Sequence, residues 1–82
     1  MQMSFFSGWI DGLQQPPEDG QKVIAYTLIE NPEDDMPMFK KLHIKHNGIT
    51  ISGPVVMTFE KEFVDSGAHR PIAYWQPVDP LN

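Results

Sequence analysis

Eight prolines in 82 residues constrain this chain most, because they interrupt almost every window long enough for a helix. Proline fixes φ and lacks a backbone donor, so helix interiors and central strand positions exclude it. The prolines stand at positions 16, 17, 32, 37, 54, 71, 77 and 80. The segments between them are therefore predicted to form short strands joined by turns.

Two of these segments have the composition of strands. Residues 22–30 carry β-branched and aromatic side chains on both alternating faces, which is typical of a central strand covered on both sides. Residues 70–76 predict a final strand, with Ile72 and Tyr74 on one face and the residues that alternate with them on the other.

The strongest local signal is the dipeptide Asn47-Gly48, which lies between two alternating segments. A two-residue type I′ turn needs φ > 0 at both central positions, and Asn-Gly meets that need. The turn predicts a hairpin over residues 42–52 and fixes its register. Residues 43–46 should pair in reverse order with residues 49–52, which places His43 opposite Ser52.

Residues 58–64 admit two interpretations. They can form a short helix with Thr58 as its N-cap, since Phe59 and Phe63 are one turn apart, or a strand with both rings inward. We therefore predict one small β-rich domain over residues 1–82. It should have about five mainly antiparallel strands, arranged as a meander or a small partly open barrel, and at most one short helix.

Composition and charge exclude several classes of protein. The chain has no cysteine, and so neither a disulfide nor a thiol nucleophile. It shows no signal peptide and no membrane-spanning run, so we expect a cytoplasmic protein. Its net charge is −5 and uneven: residues 1–35 hold seven acids against one lysine, a net −6, and residues 36–82 sum to +1. This balance argues against direct nucleic-acid binding, which needs a basic footprint.

Metal-binding and catalytic constellations find little support. His43 and His46 should project to opposite faces of a strand, and His69 has no histidine or cysteine neighbour. The acids of residues 30–35 lack the spacing of a calcium loop. No serine lies in a nucleophile motif. We expect no metal, no cofactor and no enzymatic activity.

Two groups of residues are candidates for binding a partner. The first combines carboxylates with apolar side chains in a segment that contains Pro32 and Pro37, and comprises Glu30, Glu33, Asp34, Asp35, Met36, Met38 and Phe39. Carboxylates there would steer a basic surface, and the apolar groups would hold it. The second is a basic stripe of Lys41, His43 and Lys45. A solvated loop and a solubilising sheet face are the respective structural alternatives.

Short motifs near both ends resemble a known family. They are Trp9-Ile10, the turn at residues 16–20 leading into an apolar strand, and the closing segment at residues 73–80. Their order and spacing are similar to those of domain of unknown function 551, a family of small phage and prophage proteins. Tyr74 stands where that family usually has a histidine, and Gln15-Pro16 stands where it has Leu-Pro. The resemblance implies a phage-type origin and a compact β-rich fold, and it supplies no catalytic residue.

These observations lead to one expected function and two alternatives. We expect a non-enzymatic, phage-type accessory protein that binds a basic surface of a host bacterial protein and inhibits a defence or nucleic-acid-handling complex, as an anti-CRISPR protein does. A nucleotide- or small-ligand-binding module is the first alternative. It would need a pocket near the basic stripe at residues 41–45, lined by Trp9, Tyr26, Tyr74 or Trp75, with the tryptophans as a platform instead of core residues. A small hydrolase or transferase is the second. An uncovered edge strand would also allow a homodimer.

Overall fold

One open, antiparallel sheet of five strands forms the fold in a computed structural model that describes residues 8–78. The strands are β1 (Ile10–Asp11), β2 (Lys22–Ile29), β3 (His43–His46), β4 (Ile49–Thr58) and β5 (Ile72–Pro77). Two short helices, α1 (Pro37–Lys40) and α2 (Lys61–Asp65), and a 3-10 turn at Pro32–Asp34 complete the elements. The predicted β-rich, mainly antiparallel class is confirmed.

The strand order is β1-β5-β2-β4-β3, which places β2 at the centre of the sheet. In a meander each strand would pair with the next one along the chain, whereas here β3 and β4 are the consecutive pair. The order differs because β4 is ten residues long and pairs with β2 along most of its length. Its first four residues also pair with β3.

The hairpin β3–β4 has the predicted register. His43 faces Ser52, and His46 faces Ile49 across the turn. Asn47 and Gly48 have φ angles of 52° and 82°, as the type I′ turn requires. The prediction is therefore confirmed. The register could be predicted because a two-residue turn specifies its own pairing, independently of distant residues.

The two faces of the sheet each bury an apolar cluster. The first comprises Val23, Ala25, Phe59, Ile72 and Trp75, and Val64 of α2 packs against it. The second comprises Tyr26, Ile51 and Ala73, with Trp9, Ile44 and Tyr74 beside them. On this second face the rings of His46 and Tyr74 lie 5.5 Å apart, although β4 and β2 separate their strands. The sheet must therefore curl toward that side.

The predicted faces of β5 are wrong. Ile72 and Trp75 share the first cluster, whereas Tyr74 lies beside the second. Tyr26 pairs with Tyr74 while the next residue, Thr27, pairs with Ile72, so Ala73 is an extra residue on β5. Such a bulge reverses the alternation of side chains beyond it, and the sequence of β5 alone does not reveal it.

The helices also differ in detail from the expectation. Residues 61–65 form α2, so the helical interpretation of this region holds, but Glu60 occupies the N-cap position and Thr58 ends β4. The prediction of at most one short helix is wrong, because α1 also forms at Pro37–Lys40. Pro37 stands at its first position, where a missing N–H costs no hydrogen bond.

The two tryptophans differ in burial. Trp75 is 6% exposed, and its indole N–H donates to the Gln15 carbonyl oxygen at 2.8 Å. Trp9 is half-buried and meets Tyr26 edge-on at 5.2 Å between ring centroids. Since β1 pairs with β5, with Ile10 opposite Trp75, the two ends of the described chain lie side by side. Trp75 is a core residue.

Within residues 8–78 no helix is long and apolar enough to cross a membrane. Residues 1–7, on which the expected lack of a signal peptide depends, lie outside the described residues. Asp79 and Pro80 of the closing motif do so as well.

Trp75→Phe should lower the free energy of unfolding by about 1–3 kcal/mol, because it removes both packed volume and the bond to Gln15. Trp9→Phe should cost less, since that ring is only half-buried. Chemical denaturation followed by circular dichroism measures both. Equal stability of Trp75→Phe and the wild type would contradict a core role for Trp75.

Candidate functional site

The segment from residue 30 to residue 42 joins the central strand β2 to the edge strand β3, and we call it the acidic–apolar segment. Pro32 starts its 3-10 turn and Pro37 starts α1. Each proline restricts the unfolded chain, so ordering this segment costs less conformational entropy than ordering a proline-free loop. The segment thus presents its side chains from two short, defined turns.

Asp35 anchors this segment to the rest of the protein. Its Oδ2 atom lies 2.8 Å from Nε2 of His43 on β3. Its Oδ1 atom lies 3.6 Å from Nη2 of Arg70 and accepts the backbone N–H of Met36 at 3.0 Å. An ionised carboxylate can only accept, so Nε2 of His43 carries the proton and donates. The carboxylate therefore connects the segment to β3 and to the loop that precedes β5.

The environment of Asp35 lowers the pKa of its carboxyl group. The hydrogen bond from His43 is the largest cause, and the N–H of Met36 and the charges of Arg70 and His43 act in the same direction. Partial burial opposes them, since the side chain is only 8% exposed. The net effect favours the ionised form, so Asp35 keeps its charge and its hydrogen bonds at neutral pH.

The other carboxylates of the first predicted group face solvent. Glu30, Glu33 and Asp34 are exposed, unlike Asp35. Apolar side chains follow them directly: Met36 is 56% exposed, Met38 62% and Phe39 45%. Sequence reasoning missed one member, Leu42, which is 54% exposed just before β3. Four exposed apolar side chains, which we call the apolar patch, thus lie within seven residues of the chain and directly follow the exposed carboxylates: Met36, Met38, Phe39 and Leu42.

The second predicted group is divided in the structure. Lys45 is exposed on β3, and Lys41 is exposed in the turn before that strand. His43 is 11% exposed at its side chain and is engaged by Asp35. The predicted basic stripe therefore consists of two exposed lysines with a histidine between them that is bonded to Asp35.

A cavity of about 410 Å³ adjoins the segment. Glu30, Asp34 and Asp35 line one part of it, and His69 and Arg70 line another. Arg70 is half-exposed and His69 packs on the Phe63 ring at 5.0 Å. Sequence reasoning missed that residues 69–70 meet residues 30–35. Asp35 and Arg70 are 35 positions apart, and only the topology brings them together.

The described part of the chain offers no metal site: no three histidine, aspartate or glutamate residues come together in a group that could hold an ion. The three histidines have separate surroundings, since His43 bonds to Asp35, His46 meets Tyr74 and His69 packs on Phe63.

No family model, curated protein or solved structure matches this chain. The comparisons give no support to the resemblance with domain of unknown function 551, which therefore depends on the terminal motifs alone.

Asp35→Asn should show how far this anchor stabilises the fold. Because the folded-state pKa lies below the ordinary value of 3.8, the carboxylate stabilises the protein above that pH, and the stabilisation is lost as the pH falls through the folded-state pKa. The thermal midpoint of Asp35→Asn should thus be below that of the wild type at pH 7, and the gap should close toward pH 2.

Asp34→Asn is the matched control, since it removes one charge from an exposed position in the same turn. Its midpoint should follow that of the wild type at every pH. A constant gap between Asp35→Asn and the wild type from pH 7 to pH 2 would contradict the role of the ionised carboxylate.

Proposed function

We propose that this chain is a non-enzymatic binding protein whose acidic–apolar segment contacts a basic surface of a protein partner. The observation that carries the proposal is the exposed apolar patch of Met36, Met38, Phe39 and Leu42. Large apolar side chains exposed close together in the chain are typical of an interaction surface. Methionine adds adaptability, because its unbranched side chain adjusts to an irregular partner.

The charges beside the patch indicate the chemistry of the partner. Glu30, Glu33 and Asp34 are exposed on its N-terminal side. Exposed carboxylates steer a basic surface toward the patch and raise the association rate. The adjoining cavity, lined partly by Glu30 and Asp34, offers a recess for a basic side chain of the partner.

In this proposal Asp35 positions the segment and does not contact the partner. Asp35 is turned toward His43 and Arg70, so it holds the segment and is not free to meet a partner. The exposed acids and the apolar patch are the contact residues in this proposal.

The finer part of the proposal concerns the biological setting. We infer a phage-type accessory protein that acts in the cytoplasm of a bacterial host cell and inhibits a defence or nucleic-acid-handling complex, as an anti-CRISPR protein does. Small size, the terminal motifs and the acidic segment support it. Complexes that handle nucleic acid carry basic grooves, and an acidic surface complements them.

Met38→Ala combined with Phe39→Ala should weaken partner binding at least about tenfold, because apolar anchors at the centre of an interface carry much of its binding energy. The tagged protein first captures partners from bacterial lysate, mass spectrometry identifies them, and interferometry with the purified partner measures affinity. Leu13→Ala combined with Val56→Ala is the control, since both of these residues are 54% exposed outside the patch. Equal loss in both double variants would contradict a specific role for the patch.

Glu33→Gln combined with Asp34→Asn should slow association and flatten its dependence on salt, while leaving dissociation nearly unchanged. Glu18→Gln combined with Glu62→Gln removes the same charge at exposed positions elsewhere and should change neither. An association rate that is the same for all three proteins at every salt concentration would exclude the acidic part of the segment from the interface.

A further inference from the structure

The strand β3 lies at one end of the sheet order, and among residues 8–78 only β4 pairs with it. In a hairpin closed by a two-residue turn, the residues that flank the turn bond to each other through their backbones, and this bonding alternates along the strand. His46 and Ile44 therefore direct their backbone groups toward β4. His43 and Lys45 direct their N–H and C=O groups outward, toward the open side of the sheet.

The exposed charges along this edge are basic, because the carboxylate that reaches β3, that of Asp35, is 8% exposed and bonded to His43. No aspartate or glutamate occurs from residue 36 to residue 59, and Lys40, Lys41 and Lys45 are all exposed. Lysines on an edge strand oppose pairing with a second basic strand, which includes the same edge of another copy of this chain. They favour a strand that carries carboxylates, because opposite charges directly across two strands stabilise the pair.

The two faces of β3 differ in polarity. Lys45 lies on the face that it shares with its partner Thr50, whereas Ile44 lies on the opposite face and packs beside Tyr26 and Ile51. Side chains of an added strand alternate between the same two faces. Residues across from Lys45 would meet a cation, and their neighbours would meet the partly buried apolar surface around Ile44.

We propose that the open edge of β3 binds an extended segment of another protein as a sixth strand, and that this segment alternates acidic and apolar residues. The backbone of His43 and Lys45 supplies the hydrogen bonds, Lys45 selects the acidic positions and Ile44 selects the apolar ones. This mode of recognition, addition of a strand to a free sheet edge, obtains affinity from the main chain and specificity from alternate side chains. It uses a surface other than the acidic–apolar segment and does not depend on the function proposed above.

The test uses three fluorescent heptapeptides and measures their binding to the full chain by fluorescence anisotropy. One alternates valine and glutamate, the second alternates valine and lysine, and the third repeats the glutamate peptide with N-methyl groups on alternate backbone nitrogens. The first should bind, and the other two should not. Amide exchange followed by NMR should slow at His43 and Lys45 when the first peptide binds, since these amides point outward in the free protein.

Two substitutions at position 45 distinguish the contribution of the Lys45 side-chain charge from that of its backbone N–H. Lys45→Glu should weaken binding of the glutamate peptide by about threefold to tenfold, because it replaces an attractive cross-strand pair with a repulsive one. Lys45→Pro removes an outward N–H, which an edge strand tolerates, and should abolish binding. Lys22→Glu makes the same charge change at an exposed position of β2 and should leave binding unchanged. Circular dichroism confirms that each variant is folded.

Several outcomes would overturn the proposal. They are equal binding of the glutamate and lysine peptides, no binding of any peptide, and equal effects of Lys45→Glu and Lys22→Glu. A dimer in sedimentation that Lys45→Pro converts to monomer would assign the edge to a second copy of the chain instead. Met38→Ala combined with Phe39→Ala should retain peptide binding, so failure of this proposal is distinguishable from failure of the proposed function.

Discussion

The central position of β2 is the constraint on which the rest of the structure depends. It pairs with β4 on one side and β5 on the other, and both pairings are antiparallel. Its side chains contribute to the clusters on both faces, with Val23 and Ala25 in one and Tyr26 in the other. A chain of this size buries a smaller share of its surface than a large domain does. Because β2 contributes side chains to both clusters, one strand supplies buried apolar surface on both faces of the sheet.

The same constraint determines where binding surfaces can lie. The apolar residues of β2 and β5 are used in the core, whereas Met36, Met38 and Phe39 lie on a connection that passes outside both clusters. None of these three side chains packs in either cluster of the described residues, so their exposure is not a consequence of core packing. The Asp35 contacts with His43 of β3 and with Arg70 then hold this connection in one position, whereas a loop without such an anchor would sample many conformations.

Local chemistry explains which features could be predicted from the sequence. The β3–β4 register follows from Asn47-Gly48, because the turn needs positive φ at both positions and the pattern on each side agrees. The faces of β5 could not be predicted, since the bulge at Ala73 is set by its pairing with β2 and not by its own residues. Composition was sufficient to predict the exposed acids and methionines. The burial of the Asp35 side chain could not be predicted, because it depends on His43 and Arg70, which are 8 and 35 positions away.

The contact between Asp35 and His43 also marks the boundary between two oppositely charged parts of the surface. Carboxylates precede it in the chain, and the next acid after Asp35 is Glu60. In the described residues the acidic–apolar segment makes ion pairs through Asp35, with His43 and Arg70, and none joins its exposed acids to Lys40, Lys41 or Lys45. If these acids and lysines formed ion pairs with one another, neither the negative nor the positive charges would be open to a partner. Because the anchor satisfies one carboxylate and leaves the others in solvent, an acidic and a basic surface remain side by side, and the net charge of −5 describes neither of them.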